Sequence, residues 1–155
     1  MEIVSLIKKD ELLTKKSFEK NFNKLTFLLE VLRTKNLSSE TISIINKKIE
    51  TINSFEGKPH KYSTKLVVQH HNITELVRKQ HGLVTEKYYQ NQWMALGMTV
   101  FGLPLGVIFS TALGNMAFIG IFFLPGMFIG AQYGKQKDKK ALQEGKQLIL
   151  STEKS

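Results

Sequence analysis

The stretch WMALGMTVFGLPLGVIFSTALGNMAFIGIFFLPGMFIGAQYG, residues 93–134, decides the fold. It lies inside a run of forty-seven residues, 88–134, without one charged side chain. A bilayer crossing takes about 20 apolar residues, so this run is twice what one span needs and too long for a single core element of a soluble domain. Gly114-Asn115, near its middle, reads as a turn. The sequence therefore predicts an all-α chain with two transmembrane helices, 93–113 and 116–134, folded back on each other at 114–115. Around this hairpin (91–134) it places a cytoplasmic helical bundle or coiled coil over 1–90 and a basic cytoplasmic tail over 135–155.

The charge of the flanks orients the hairpin. The formal net charge is +9, all of it outside 93–134. Lys79 and Lys87 precede the first span; Lys135, Lys137, Lys139 and Lys140 follow the second; the turn has none. By the positive-inside rule both termini face the cytoplasm of the cell inner membrane. Lysines beside a membrane meet anionic lipid headgroups, which accounts for a pI of 9.7 without nucleic acid. The interleaving of basic and aromatic residues that a single-strand groove uses is also missing. Tyr88, Tyr89 and Trp93 before the first span, and Tyr133 closing the second, form an aromatic belt that anchors the interface together with those lysines. The first ten residues have neither an early basic region nor an apolar core of signal length, so the hairpin itself is expected to direct insertion.

Small residues recur along both spans. Gly102, Gly106, Ser110 and Gly114 step by four, and so do Gly126, Gly130 and Gly134. Lipid tails are as apolar as leucine, so helices associate in a bilayer through close packing, which such a face allows. Phe101, Phe118, Phe122, Phe123 and Phe128 are expected to fill the opposing surface. Pro104 and Pro125 lie equally far from the 114–115 junction, which predicts kinks at one depth, since proline removes a helix hydrogen bond. Residues 93–134 contain no Asp, Glu, Lys, Arg or His, so a proton or ion relay has no groups to use. Thr99, Ser110, Thr111, Asn115 and Gln132 are the conspicuous polar side chains there.

The first ninety residues carry apolar series at helical spacing. Phe18, Phe22, Leu25, Leu29 and Leu32 form one. Ile42, Ile45, Ile49 and Ile52 form a second after a cap at Ser38 or Ser39. A third passes through Leu66, His70, Ile73, Val77, Val84 and Tyr88, slipping in phase near Gly82; its helix is expected to run on into the membrane. Ile3, Leu6 and Ile7 suggest a short helix within 2–13, separate or leading into the first.

No phosphate loop, nucleophile elbow, cysteine nucleophile or paired carboxylates appear, so the chain reads as non-enzymatic and without cofactors. His70, His71 and His81, with Glu75 four residues after His71, are weighed as a metal or pH site. They match no complete ligand set, and the reading is a seam position for His70 and surface for the other two.

From residue 112 on, Ala112-Leu113-Gly114-Asn115-Met116-Ala117-Phe118-Ile119-Gly120 is followed by Leu124-Pro125, Ile129-Gly130, Asp138-Lys139-Lys140-Ala141 and Glu144-Gly145-Lys146-Gln147-Leu148. This resembles the small bacterial glycine-zipper proteins with two membrane helices, over about residues 92–148. The resemblance implies architecture and no reaction. The leading functional expectation is a membrane protein that self-associates through its glycine faces, as a homo-oligomer or with another membrane protein, and presents a helical adaptor domain. The alternative is a membrane-permeabilising oligomer of the holin or defence-effector kind; a third is a protective partner of a membrane toxin. Asp138, Glu144 and the lysines of 135–146 are expected to continue the second helix as a lipid anchor, with Leu142, Leu148 and Ile149 on its apolar side.

Overall fold

The computed structural model describes residues 2–150. The chain is all-α apart from a pair of two-residue strands. It divides into two compact units: one joins the residues up to Thr85 with those from Leu148 on, and the other is Glu86–Gln147.

In the first unit the apolar series become α1 (Lys16–Arg33), α2 (Ser39–Asn53) and α3 (Pro59–His81). Each boundary has a local cause. The Ser38 hydroxyl accepts the Thr41 amide at 3.2 Å and starts α2, an N-cap contact. Pro59 opens α3 at its first turn, where its missing N–H costs nothing. Gly82 closes α3 with φ +66°, its amide reaching Arg78 O at 3.0 Å. That left-handed cap stops the helix, so α3 does not run on into the apolar segment as its third series suggested.

The stripes of the three helices meet in one core containing Phe22, Leu25, Leu28, Leu29, Leu32, Ile45, Ile49, Ile52, Leu66, Ile73 and Val77. Each fully buried aliphatic side chain there contributes about 1.5–3 kcal/mol of transfer free energy. Tyr62 is also fully buried, and burial pushes its phenol above the ordinary tyrosine value. Phe18 and Ile42 sit at the edge, half-buried.

Residues 2–9 form no helix; they lie extended and lead into a 3-10 turn at Asp10–Leu12. Their backbone is held by side chains of α2, and Ile3 is buried in the core. The Leu6 and Ile7 spacing that suggested helix is overridden by these tertiary contacts. At the other end of the unit, Leu148 is fully buried in the same core, on the strand Gln147–Leu148 that pairs with Val84–Thr85.

The second unit is the hairpin. Its first arm is continuously helical over Tyr88–Leu113, built from α4 (Tyr88–Gly97), a π segment (Met98–Gly102) and α5 (Leu103–Leu113). Its second arm is α6 (Ala117–Gln143). Both are long and apolar enough to cross a membrane. Gly114 ends α5 with φ +67°, and the Asn115 side chain accepts the Ala117 amide at 2.9 Å to start α6. α6 carries the second arm past Gly134 to Gln143, a helical continuation as expected, and Gly145, φ +69°, whose amide reaches Leu142 O at 3.0 Å, follows its end. The expected apolar side does not form: Leu148 is in the core of the other unit, while Leu142 and Ile149 are exposed. Residues 151–155 of the expected tail lie outside the described residues.

Candidate functional site

The hairpin is built with glycine inside and bulk outside. A Cβ on Gly126 would lie 2.5 Å from Gly97 O and 2.8 Å from Gly102 N. One on Gly106 would lie 2.8 Å from the Ile119 Cα, and one on Gly102 would lie 3.0 Å from Phe122 O. On Gly130 it would strike Trp93 O, and on Gly134 Tyr89 O. Backbone therefore meets backbone along the whole seam, with no room for a methyl group. Meanwhile Val100, Phe101, Leu103, Ile108, Leu113, Ile121, Leu124, Phe128 and Ile129 all face outward and exposed.

Within one chain the glycine faces pack against each other. Two expectations about the apolar arms are corrected by this geometry. Phe101 and Phe128 are not knobs in glycine holes; they point outward, while Phe122 stacks on Phe109 at 4.5 Å. Gly114 has open space where a Cβ would be and serves as a helix cap rather than a packing residue.

The prolines do not sit level either. With Gly106 opposite Ile119 and Gly102 opposite Phe122 and Phe123, Pro104 falls opposite the turn around Ile121. Pro125 is then displaced by about one turn, roughly 5–6 Å along the axis. Their accommodation also differs: the π segment precedes Pro104, whereas Pro125 lies inside an uninterrupted α6. A proline ring crowds the carbonyl four residues before it, here that of Val100, and widening the helix there relieves the crowding.

The π segment explains a residue that spacing did not reveal. Gly97 is five positions before Gly102, off the step of four. A π turn advances five residues per hydrogen bond, here from Leu103 N to Met98 O, and so brings Gly97 onto the seam face. There it packs against Gly126 and Gly130. Proline following a glycine-rich stretch is the one sequence signal that could have suggested it.

At the lysine-rich end of the hairpin, Trp93 meets Tyr133 edge to face at 4.4 Å, and Lys137 Nζ lies 5.5 and 5.4 Å from the two ring centres. Tyr88 and Tyr89 form a second edge contact at 5.2 Å. Lys135, Lys139 and Lys140 are exposed around them. Asp138 is the other residue missed by sequence reasoning. It is 7% exposed, and its carboxylate accepts the amides of Tyr89 at 3.0 Å and Gln90 at 2.9 Å. It thereby satisfies orphan donors at the start of α4, from the opposite arm. Just beyond α6, the Lys146 ammonium holds the Glu144 carboxyl below its ordinary value, with Lys140 adding to the effect.

The hydroxyls of the two apolar arms are satisfied locally. Thr99 donates to Ala95 O and Leu96 O, Ser110 to Val107 O, and Thr111 to Val107 O and Ile108 O. They line no shared polar track.

In the first unit the histidines part company. His81 Nε2 is 2.8 Å from the Thr41 hydroxyl, tying the end of α3 to the start of α2. Glu75 pairs with Arg78 at 2.6 Å rather than with His71. His70 is half-buried beside a groove of about 590 Å³ that also includes Lys16, Lys20, Lys24 and Phe27. Burial, then Lys24 and His71, lower its pKa from the usual 6.5. Among the described residues no three His, Cys, Asp or Glu side chains converge on a metal position. No family model, curated protein or solved structure matches this chain.

Proposed function

We propose that this chain is a non-enzymatic integral protein of the cytoplasmic membrane, whose hairpin anchors a cytoplasmic three-helix adaptor domain. One observation carries the reading. The two long helices place backbone and glycine inside and their large apolar side chains outside, the reverse of a helix pair folded in water. Such an outer surface is stable only in contact with lipid or other apolar matter. The span of 93–113 is about 31 Å long, close to the hydrocarbon thickness of about 30 Å. The aromatic and lysine cluster at one end fits a headgroup boundary, which supports reading both ends of the hairpin as facing the positively charged, cytoplasmic side.

Association with other copies through the glycine faces is not part of this proposal, because those faces carry the hairpin. A permeabilising oligomer would have to open a seam that is closed backbone to backbone, and its hydroxyls already bond to their own helices. The likeness to glycine-zipper proteins is taken here as one of architecture. The test is flotation after an alkaline wash: the chain should rise with the vesicles in a density gradient. Recovery in the soluble fraction, with the helices still formed, would refute a membrane anchor.

A further inference from the structure

Four side chains of α6 form one stripe where the helix leaves its apolar stretch. Tyr133, Gln136, Lys137 and Lys140 step by three, one and three, the spacing that sets residues on one helix face. They line an open depression of about 350 Å³, at the small end of the range for small-molecule sites. Each of the four can donate a hydrogen bond, and among the described residues no carboxylate lines the depression. The Lys137 ammonium lies 5.5 Å from the Trp93 ring centre and 5.4 Å from that of Tyr133. Two aromatic rings thus hold in place a lysine that would otherwise sample many rotamers. Lys140 is 77% exposed; Glu144 lies 3.9 Å from it and is bonded more closely to Lys146, at 2.9 Å. Four residues before Tyr133 the same stripe reaches Ile129, 56% exposed. Donors therefore give way to apolar surface within about one turn. Lys135 and Lys139 fall on a different face of α6 by helical phase, outside the depression.

We propose that this stripe binds the phosphate of one anionic phospholipid, with Lys137 and Lys140 as its cations, Tyr133 and Gln136 as neutral donors, and Ile129 beneath an acyl chain. The proposal rests on the membrane reading and deepens it: the hairpin holds a particular lipid at a built site, in addition to the diffuse attraction of lysines to an anionic surface. A phosphodiester carries one negative charge and two free oxygens that accept hydrogen bonds, which two ammonium groups and two neutral donors can meet. A soluble phosphate would leave the Ile129 surface unused, so the lipid is the fitting source. A zwitterionic lipid fits less well. Lys137 already takes the ring faces on which a choline group would stack, and no carboxylate is at hand to pair with the headgroup cation.

The test is native mass spectrometry of the full chain in detergent micelles, titrated with phosphatidylglycerol or phosphatidylcholine of the same acyl chains. One phosphatidylglycerol should stay bound, about tenfold more tightly than phosphatidylcholine. Lys137→Gln combined with Lys140→Gln should weaken it about tenfold. Lys135→Gln combined with Lys139→Gln removes the same charge from the other face and should change it by less than about twofold. Equal losses from the two pairs would reduce the effect to net charge and overturn the proposal, as would equal retention of the two lipids. Displacement of the lipid by an equal concentration of inorganic phosphate would assign the donors to a soluble anion and overturn it too. Should the first pair lower the helical content, Lys140→Gln alone decides, its side chain being 77% exposed. Binding should then fall about fivefold, and no fall overturns the proposal. Micelles hold the chain whether or not it spans a bilayer, so a failure of flotation counts against the membrane anchor while this titration decides the lipid site.

Discussion

Replacing Gly126 by alanine puts the seam under direct strain. The new methyl carbon would lie 2.5 Å from Gly97 O and 2.8 Å from Gly102 N. Comfortable contact for such atoms begins near 3.5 Å, so the arms must separate by about 0.7–1 Å. A gap of that size forfeits about a quarter to a half of each pairwise attraction, at about 0.1–0.2 kcal/mol per atom pair. Over the few dozen pairs near this crossing the loss is about 1–3 kcal/mol, the usual cost of overpacking. Trp93 is the single tryptophan and sits 4.4 Å from Tyr133 across the two arms, so its fluorescence reports the hairpin during detergent titration in bicelles. Gly120→Ala is the control, since that Cβ would meet nothing within 4 Å. Gly126→Ala should shift the transition to lower denaturing detergent and Gly120→Ala should leave it in place or raise it. Equal effects from the two substitutions would refute the backbone-to-backbone seam.

Other outcomes follow from individual contacts. Asp138→Ala should destabilise the lysine-rich end of the hairpin by about 1–2 kcal/mol, as loss of a helix cap does. Hydrogen exchange should then quicken at Tyr89 and Gln90 and not at the turn. Gly114→Ala should cost about 1 kcal/mol, because φ is +67° there and a side chain resists the left-handed region. For His70 the folded pKa lies below the unfolded 6.5, so the unfolded chain binds more protons. Its penalty is absent above pH 6.5 and grows as the pH falls from there towards the lowered folded value. Urea midpoints of the helical domain should therefore drop on acidification through this window, and His70→Gln should flatten the drop.

The broad architecture was legible because it rests on properties each residue carries alone. An uncharged run of this length has few solutions, and the stripes of α1, α2 and α3 needed only spacing and polarity. The glycine steps were visible, but what they faced was not. Glycines on two helices can meet across a hairpin or between copies, and only the backbone register decides which. Gly97 was hidden because the π segment changes the step from four to five. Asp138 looked like a solvated tail residue because its partners, the amides of Tyr89 and Gln90, lie forty-nine and forty-eight positions away. Residues 2–9 misled for a related reason: Ile3, Leu6 and Ile7 fit a helix locally, yet Asn46 and Asn53 offer their backbone alternative hydrogen bonds. Asparagines at that heptad spacing were present in the sequence, but nothing there said what they would hold.

The central claim is a hairpin that crosses the membrane twice with both ends on one side. The chain contains no cysteine, so single cysteines can be placed at Asn115, Lys79 and Lys146 and probed in intact cells with a membrane-impermeant maleimide. Asn115→Cys should label from outside the membrane, while Lys79→Cys and Lys146→Cys should label only after the cells are opened. Labelling of all three positions from the same side would contradict the account.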